Sequence, residues 1–261
     1  MKVHILDDWH DTLRHLPSFA RLAGHDVTVW TGRNTDPALL RSAEALVLFR
    51  ERTAITAALL DHLPNLRLIS QRGVYPHVDV AACTRRGVLL CSNPGAETPS
   101  IAAAELTFAL ILACARDLLN QNAALRAGQW QRAPGQSLRG RQLGLYGYGK
   151  IARQVATYAR AFGLRVVWWG SDQGRARAAA AGETLAASRA AFFADSDFVS
   201  AHVRLTPATR GLIAAADLAA MKPSASFINT SRAGLVEPGA LLAALNTGRP
   251  GRFGLDVFDT E

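Results

Sequence analysis

Three observations predict an α/β protein built from two doubly wound parallel sheets in series. Short apolar runs alternate with helical stretches along almost the whole chain, and that alternation argues for parallel sheets covered on both faces. A polar stretch rich in Pro and Gly, Ser92-Asn93-Pro94-Gly95-Ala96-Glu97-Thr98-Pro99, divides the alternation in two and reads as a linker. A glycine-rich turn between a strand and a helix occurs only in the second half. The expected domains are residues 1–97 and 98–261. A chain of 261 residues, 49% hydrophobic and 19% charged, suffices for two packed cores.

In the first domain the expected strands are Val3–Leu6, Val27–Trp30, Ala45–Phe49, Leu66–Ser70 and Val88–Cys91. Helical stretches fall near Asp11–Ala23, Pro37–Ser42, Thr56–His62 and Val78–Arg85. The opening MKVHILDD turns acidic directly after a few mostly apolar residues, so it reads as a strand and not as a signal peptide. With no glycine fingerprint, this domain is expected to be flavodoxin-like but not the nucleotide binder.

The second domain opens with a nearly all-apolar helix, Ser100–Leu119, expected to be buried or in an interface. A second helix, Gln121–Gly128, leads into a Gly/Pro-rich loop ending at Gly140. Then comes Leu143–Gly163, LGLYGYGKIARQVATYARAFG: an apolar run, a turn on glycines, an amphipathic helix. Gly147 and Gly149 are the first two glycines of a G-x-G-x-x-G/A pattern, and Ala152 fills the third place. The first glycine permits the tight turn, the second lets backbone approach a pyrophosphate, and the small third residue lets helix pack on strand. The N–H groups at the helix start meet the phosphates. A strand before, a helix after and a second strand, Leu164–Gly170, complete the βαβ context of a Rossmann dinucleotide-binding domain. Helix Gly174–Ala181, a short strand near Glu183–Leu185 and helix Ser188–Ala194 follow. Strands Phe198–His202, Ser226–Asn229 and Phe253–Val257 come next, with helices Ala215–Met221 and Pro238–Thr247 between them.

Composition excludes several classes. The formal net charge is +8, yet the arginines are scattered and no basic run suggests nucleic acid. No apolar stretch reaches membrane-spanning length. Cys83, Cys91 and Cys114 have neither metal nor disulfide spacing and read as small buried hydrophobes in a reducing cytoplasm. No metal site is expected.

Candidate chemistry clusters after the strands of the second domain, where open α/β sheets bind ligands. His202-Val203-Arg204-Leu205-Thr206-Pro207 follows one strand, Asn229-Thr230-Ser231-Arg232 another, and Asp256-Val257-Phe258-Asp259-Thr260-Glu261 the last. Arg232 has the strongest case for substrate work, since a guanidinium just past a buried strand can hold a carboxylate bidentately. The choice between NAD and NADP stays open. The place where an NAD site carries Asp or Glu for the ribose 2′-OH is Gly170, followed by Ser171 and Asp172. Asp172 could serve NAD, whereas Arg175 and Arg177 either bind a 2′-phosphate or simply form a solvated helix face.

Together these residues resemble the D-isomer-specific 2-hydroxyacid dehydrogenase family. The resemblance covers nearly the whole chain and is carried by Leu145–Ala152, His202–Gly211 (HVRLTPATRG), Met221-Lys222-Pro223 with Phe227–Ala233 (FINTSRA), and Leu255–Glu261 (LDVFDTE). It implies hydride transfer between NAD(P)(H) and a small 2-hydroxy or 2-oxo acid. By resemblance, Arg232 binds the substrate carboxylate and Glu261 raises the pKa of a catalytic histidine. Asp256 holds the nicotinamide carboxamide, while Tyr148, Lys150 and Ile151 meet the pyrophosphate. His202, Thr206, Thr230, Ser231, Ser171 and Asp172 complete the expected cofactor-binding set. In the first domain, Arg72-Gly73-Val74-Tyr75 stands where the family offers backbone N–H groups to the substrate carboxylate. A homodimer is implied, with the long apolar helix at its interface.

Two departures and one boundary shape the expectation. The catalytic histidine of the family lies beyond Glu261, so the first domain is expected to be completed by a C-terminal segment outside this sequence. Gly170 replaces the family acid. Tyr75-Pro76 puts a ring, and a position without an N–H, in the substrate loop, which predicts an unusual substrate preference. The rivals are a non-catalytic NAD(P)-sensing protein on the same fold and a formate- or phosphite-type dehydrogenase.

Overall fold

A computed structural model describes residues 1–32, 36–49, 51–93 and 101–259. The chain divides into two compact units, Met1–Glu97 and Thr98–Glu261. The expected linker falls largely on residues 94–100, outside the described residues.

The first unit contains strands β1 (Lys2–Leu6), β2 (Asp26–Val29), β3 (Ala45–Leu48), β4 (Leu68–Gln71) and β5 (Leu89–Ser92). Helices α1 (Pro37–Leu40), α2 (Ala57–Asp61) and α3 (Val80–Arg85) run between them. All strands pair in parallel, in the order β2-β1-β3-β4-β5, the flavodoxin-like order. Each helix begins on a side-chain cap: Asp36 accepts from Ala38 N–H, Thr56 from Leu59 and Asp79 from Ala82. The stretch Asp11–Ala23 is two 3-10 pieces, Leu13–His15 and Pro17–Leu22, instead of an α-helix. Leu16 is extended (ψ 138°) and Pro17 cannot donate a backbone hydrogen bond, so no helix runs through. Cys91 is exposed, contrary to expectation. It lies on edge strand β5, where alternate side chains face outward.

The second unit begins with α4 (Ile101–Arg116) and α5 (Leu118–Arg126). The single helix expected over Ser100–Leu119 is interrupted at Asp117, which adopts φ +55°. Only one stripe of α4 is buried, Ala104, Thr107, Phe108, Ile111 and Ala115, the spacing of a single helical face. Its parallel sheet comprises β6 (Gln142–Tyr146), β7 (Arg165–Trp169), β8 (Phe198–Ala201), β9 (Ser226–Asn229) and β10 (Arg252–Leu255). The strand order is β10-β9-β8-β6-β7. The strand expected at Glu183–Leu185 shrinks to one bridge, Leu185 to Trp168. Placed beside β7, it completes the Rossmann order as an abbreviated outermost strand.

The remaining helices are α6 (Lys150–Ala161), α7 (Asp172–Ala180), α8 (Arg189–Asp195), α9 (Ala215–Ala220) and α10 (Ala240–Thr247). Helices α4 and α6 cover one face through Phe108, Ile111, Val155 and Ala159 against Leu143 and Leu145. Helices α8, α9 and α10 cover the other through Phe192, Phe193, Leu218 and Ala244 against Val199 and Phe227. Gly144 has no side chain because the ring of Phe192 lies where one would go: a Cβ there would sit 2.7 Å from it.

Candidate functional site

The centre of the second unit is the turn joining β6 to α6. Gly147 has φ +106°, and a Cβ on it would lie 2.4 Å from the carbonyl oxygen of His202. Only glycine fits. Its N–H donates to Trp169 O at 2.8 Å, while His202 N–H donates to Tyr146 O at 2.8 Å. The carboxyl ends of β7, β6 and β8 are thereby drawn together at one point. Beside Gly149, in contrast, a Cβ would meet nothing within 4 Å. Gly149 is the N-cap of α6 and supplies no side-chain hydrogen bond, so the first-turn N–H groups of Lys150, Ile151 and Ala152 lack a side-chain acceptor. Open space before an uncapped twelve-residue helix suits a pyrophosphate. The residues present therefore fit a dinucleotide.

This turn opens into a cavity of about 540 Å³. Gly147, Tyr148, Gly149, Ser171 and His202 of the expected set line it, together with Tyr146, Trp169, Gly170, Arg175, Arg177, Arg189 and Arg204. Arg189 is a strut of the wall. Its Nε donates to Asp217 Oδ1 at 2.9 Å, Nη2 to Asp217 Oδ2 at 2.6 Å and Nη1 to Tyr146 OH at 3.0 Å. The Asp217 hydrogen bond holds the guanidinium pKa above its ordinary value despite partial burial. Arg175 lies over the Trp169 ring, 4.3 Å from its centroid, donates to Gly170 O at 2.7 Å and pairs with Asp172. The ring of Tyr148 packs edge-on against Trp168, with centroids 4.8 Å apart.

His202 is held in its neutral form at neutral pH. Burial pushes its pKa down to about 4, and Nε2 lies 2.9 Å from Ser200 Oγ. The His202 backbone N–H donates to Tyr146 O, and its carbonyl faces Gly147.

The carboxyl ends of β9 and β10 lie on the same edge of the sheet. Buried Asn229 organises the first: its Oδ1 accepts from Ser231 N–H at 3.0 Å, and its amide donates to Arg232 O at 3.0 Å. Ser231 Oγ donates to Ala201 O at 2.7 Å, tying this turn to β8. Thr230 Oγ1 meets Thr107 Oγ1 of α4 at 2.7 Å. The turn therefore has little freedom, and the Arg232 side chain emerges from it exposed, with Nη1 donating to Ser231 O at 2.7 Å. Asp256 N–H donates to Asn229 O at 3.1 Å, which sets the exposed Asp256 side chain just past β10.

In the first unit, Arg72–Tyr75 follows β4. The side-chain amide of buried Gln71 donates to Arg72 O (3.2 Å) and Val74 O (3.1 Å), and Ser92 Oγ donates to Gly73 O. Three carbonyls are thus turned to protein partners. Gly73 takes φ +93° and Tyr75 is exposed.

The expected residues therefore fall into separate groups. Gly147, Tyr148, Gly149, Ser171 and His202 share the cavity. Lys150 and Ile151 start α6, outside its lining. Thr230, Ser231, Arg232 and Asp256 stand farther along the same sheet edge. Exposed Thr206 forms a capping box with Thr209, and it is Thr209 that lines the cavity. Asp172 points outward, 95% exposed at its side chain. Glu261 lies outside the described residues. The sequence reading did not single out Trp169 or Arg189 and gave Arg204 no role. Arg204 sits in the motif that follows β8, whereas Arg189 comes from a helix with no motif of its own.

Among the described residues no helix is long and apolar enough to cross a membrane, and no group of three or more His, Cys, Asp or Glu is placed to hold a metal ion.

Known proteins resemble this chain in sequence and in fold. Residues 108–261 match the family model for the NAD binding domain of D-isomer specific 2-hydroxyacid dehydrogenases. The chain is 35% identical over 235 residues to a glyoxylate reductase of Thermococcus litoralis, covering 85% of this chain and 69% of that protein. It is 34% identical over 241 residues to a D-3-phosphoglycerate dehydrogenase of Methanocaldococcus jannaschii, covering 90% of this chain but 45% of that one. The crystal structure of a phosphoglycerate oxidoreductase from Vibrio cholerae O395 superposes with a TM-score of 0.90 at 45% identity, covering 100% of this chain and 85% of that one. The chain belongs to the D-isomer-specific 2-hydroxyacid dehydrogenase family.

Proposed function

We propose that this chain is an oxidoreductase that transfers a hydride between a nicotinamide dinucleotide and a small 2-hydroxy or 2-oxo acid, with Arg232 holding the acid's carboxylate. The observation that carries this reading is the braced Asn229–Arg232 turn on the same sheet edge as the Gly147–Gly149 cradle. The similar proteins named for glyoxylate and 3-phosphoglycerate act on acids of this class.

When bound, the nicotinamide supplies or takes up the hydride. The chain's own residues do the positioning. Gly147 and Gly149, with the N–H groups of Lys150 and Ile151, receive the pyrophosphate; Tyr148, Ser171 and His202 flank the adenosine side. Thr230, Ser231 and Asp256 hold the nicotinamide end. A planar guanidinium at 232 binds a carboxylate through two parallel hydrogen bonds. Two such bonds fix the carbonyl carbon in one orientation, and such positioning is a large part of catalysis. In the first unit, the Arg72–Tyr75 loop is assigned, by family resemblance, backbone N–H groups for a carboxylate, and the exposed Tyr75 ring ends that loop. Glu261 is assigned, by family resemblance, to support the acid–base histidine. The exposed apolar residues Leu118, Leu119, Leu125 and Trp130 support a homodimer, for which sedimentation should show a single species of twice the monomer mass.

The test is the absorbance of reduced nicotinamide with the full protein and a panel of 2-oxo acids. Turnover with at least one acid is expected, and Arg232→Gln should lower kcat/KM by ~100-fold or more, mostly through the acid. Cofactor binding without turnover on any acid would sink the proposal.

A further inference from the structure

We propose that the dinucleotide cavity of the second unit is built for the 2′-phosphorylated cofactor, NADP(H), and that Arg177 and Arg204 take the 2′-phosphate. The inference rests on the dinucleotide-binding reading above and adds which dinucleotide is preferred.

The turn after β7 has no carboxylate to offer a ribose hydroxyl. Gly170 occupies the position, with φ +153°, and a Cβ there would lie 3.4 and 3.5 Å from N and Cα of Gly147. Those distances are ordinary contact; it is the positive φ that disfavours a side chain, and with it a carboxylate, at 170. The neighbouring acid, Asp172, does not line the cavity. Its side chain is 95% exposed and engaged with Arg175.

The cavity wall instead carries four arginines and neither Asp nor Glu. Two of the four charges are already met: Arg189 by Asp217 and Arg175 by Asp172. Arg177 and Arg204 form no ion pair among the described residues. They leave two unmatched positive charges on the wall of one concavity, and a phosphate monoester carries about −1.5 to −2 at neutral pH. An unphosphorylated ribose would leave both charges unanswered. Ser171 adds a donor. Its Oγ accepts from Gly174 N–H at 3.2 Å, so the hydroxyl proton is free to point at a phosphate oxygen. The same residue starts α7, a nine-residue helix whose N-terminus favours an anion.

The experiment measures binding to the full protein calorimetrically, using two cofactor fragments that differ only in this group, 2′,5′-ADP and 5′-AMP, and then NADPH and NADH. The expected result is at least ~10-fold tighter binding of 2′,5′-ADP than of 5′-AMP, with the same order for NADPH over NADH. The advantage should shrink as salt rises, because the added contacts are ionic. Arg177→Ala and Arg204→Ala should each lower the NADPH-to-NADH affinity ratio by ~10-fold, and Arg204→Lys should restore part of it. Equal or tighter binding of 5′-AMP and NADH, or a ratio unmoved by both alanine variants, would overturn the inference while leaving the dinucleotide site in place. Failure of all four ligands to bind would instead overturn the underlying site, and the preference with it.

Discussion

The first strand of each sheet ends at the same topological place, the point where the strand order reverses, and the two units use it in opposite ways. In the first unit β1 runs into Asp7 and Asp8. Asp8 is fully buried, and its carboxylate accepts from Thr12 N–H (3.1 Å), Thr12 Oγ1 (3.0 Å) and Leu13 N–H (2.8 Å). Burial works to raise its pKa, but the hydrogen bonds from Leu13 and Thr12 outweigh this and hold the carboxyl below its ordinary value. In the second unit β6 runs into Gly147-Tyr148-Gly149, which offers no carboxylate and leaves the start of α6 uncapped. Both places attract negative charge to backbone N–H groups. The first unit supplies the anion from its own chain and closes. The second leaves the place open for an external one. Fold alone does not make a ligand site; whether the turn fills itself does.

This contrast can be broken from either side. The largest effect is expected from Gly147→Ala. The new Cβ would press on the His202 carbonyl in a left-handed backbone conformation, costing ~2–4 kcal/mol of stability. It should weaken NADPH binding by ~100-fold or more, read by fluorescence titration. Asp8→Ala should cost about 3 kcal/mol in denaturant melts, because three donors in the first unit lose a charged acceptor, while dinucleotide affinity stays unchanged. A parallel loss of affinity would mean that the two turns are not independent.

Acid sharpens the comparison further. His202 titrates near 4 in the folded protein, below its ordinary 6.5. The unfolded chain therefore takes up the proton first as pH falls below about 6.5, and stability is lost between about pH 6.5 and 4, by on the order of 2 kcal/mol. Unfolding midpoints measured across that range should fall, and His202→Gln should flatten the slope. The depressed Asp8 carboxyl adds a separate loss only below its ordinary 3.8. The smallest effect is expected from Asp217→Asn. It leaves the partly exposed Arg189 strut with weaker acceptors, for a loss of about 1 kcal/mol after solvent screening and a modest loosening of NADPH binding.

Much of the fold was legible because the signals were local. The apolar runs that became β1, β3, β6, β8 and β9 are bounded by polar or glycine residues and were placed to within about two residues. Where local pattern failed, a specific contact or backbone feature intervened. Pro17 and the Asp8 cap turn an expected helix into 3-10 pieces. The left-handed Asp117 breaks the long apolar helix. Glu183 bonds the indole of Trp168 at 2.8 Å and pairs with Arg160, leaving only Leu185 to bridge to β7. At the site, Gly147 and Arg232 were legible because each sits in a motif. Arg189 was not, because its role comes from Asp217 and Tyr146, residues 28 and 43 positions away.

The two parallel-sheet units, the glycine cradle and the family follow from local pattern along the chain. Each of these depends on residue type and short spacing: short apolar runs, glycines in a strand-to-helix turn, an arginine just past a strand. Which charges share a wall depends instead on how the strands pack. Arg177 follows β7 and Arg204 follows β8, 27 residues apart in the chain, and the parallel pairing of β6 with both strands brings their turns to one cavity. The same packing turns Asp172 out to solvent and places Gly170 against Gly147. Charge in a cavity is a property of what lies opposite, and no reading along a single strand contains it.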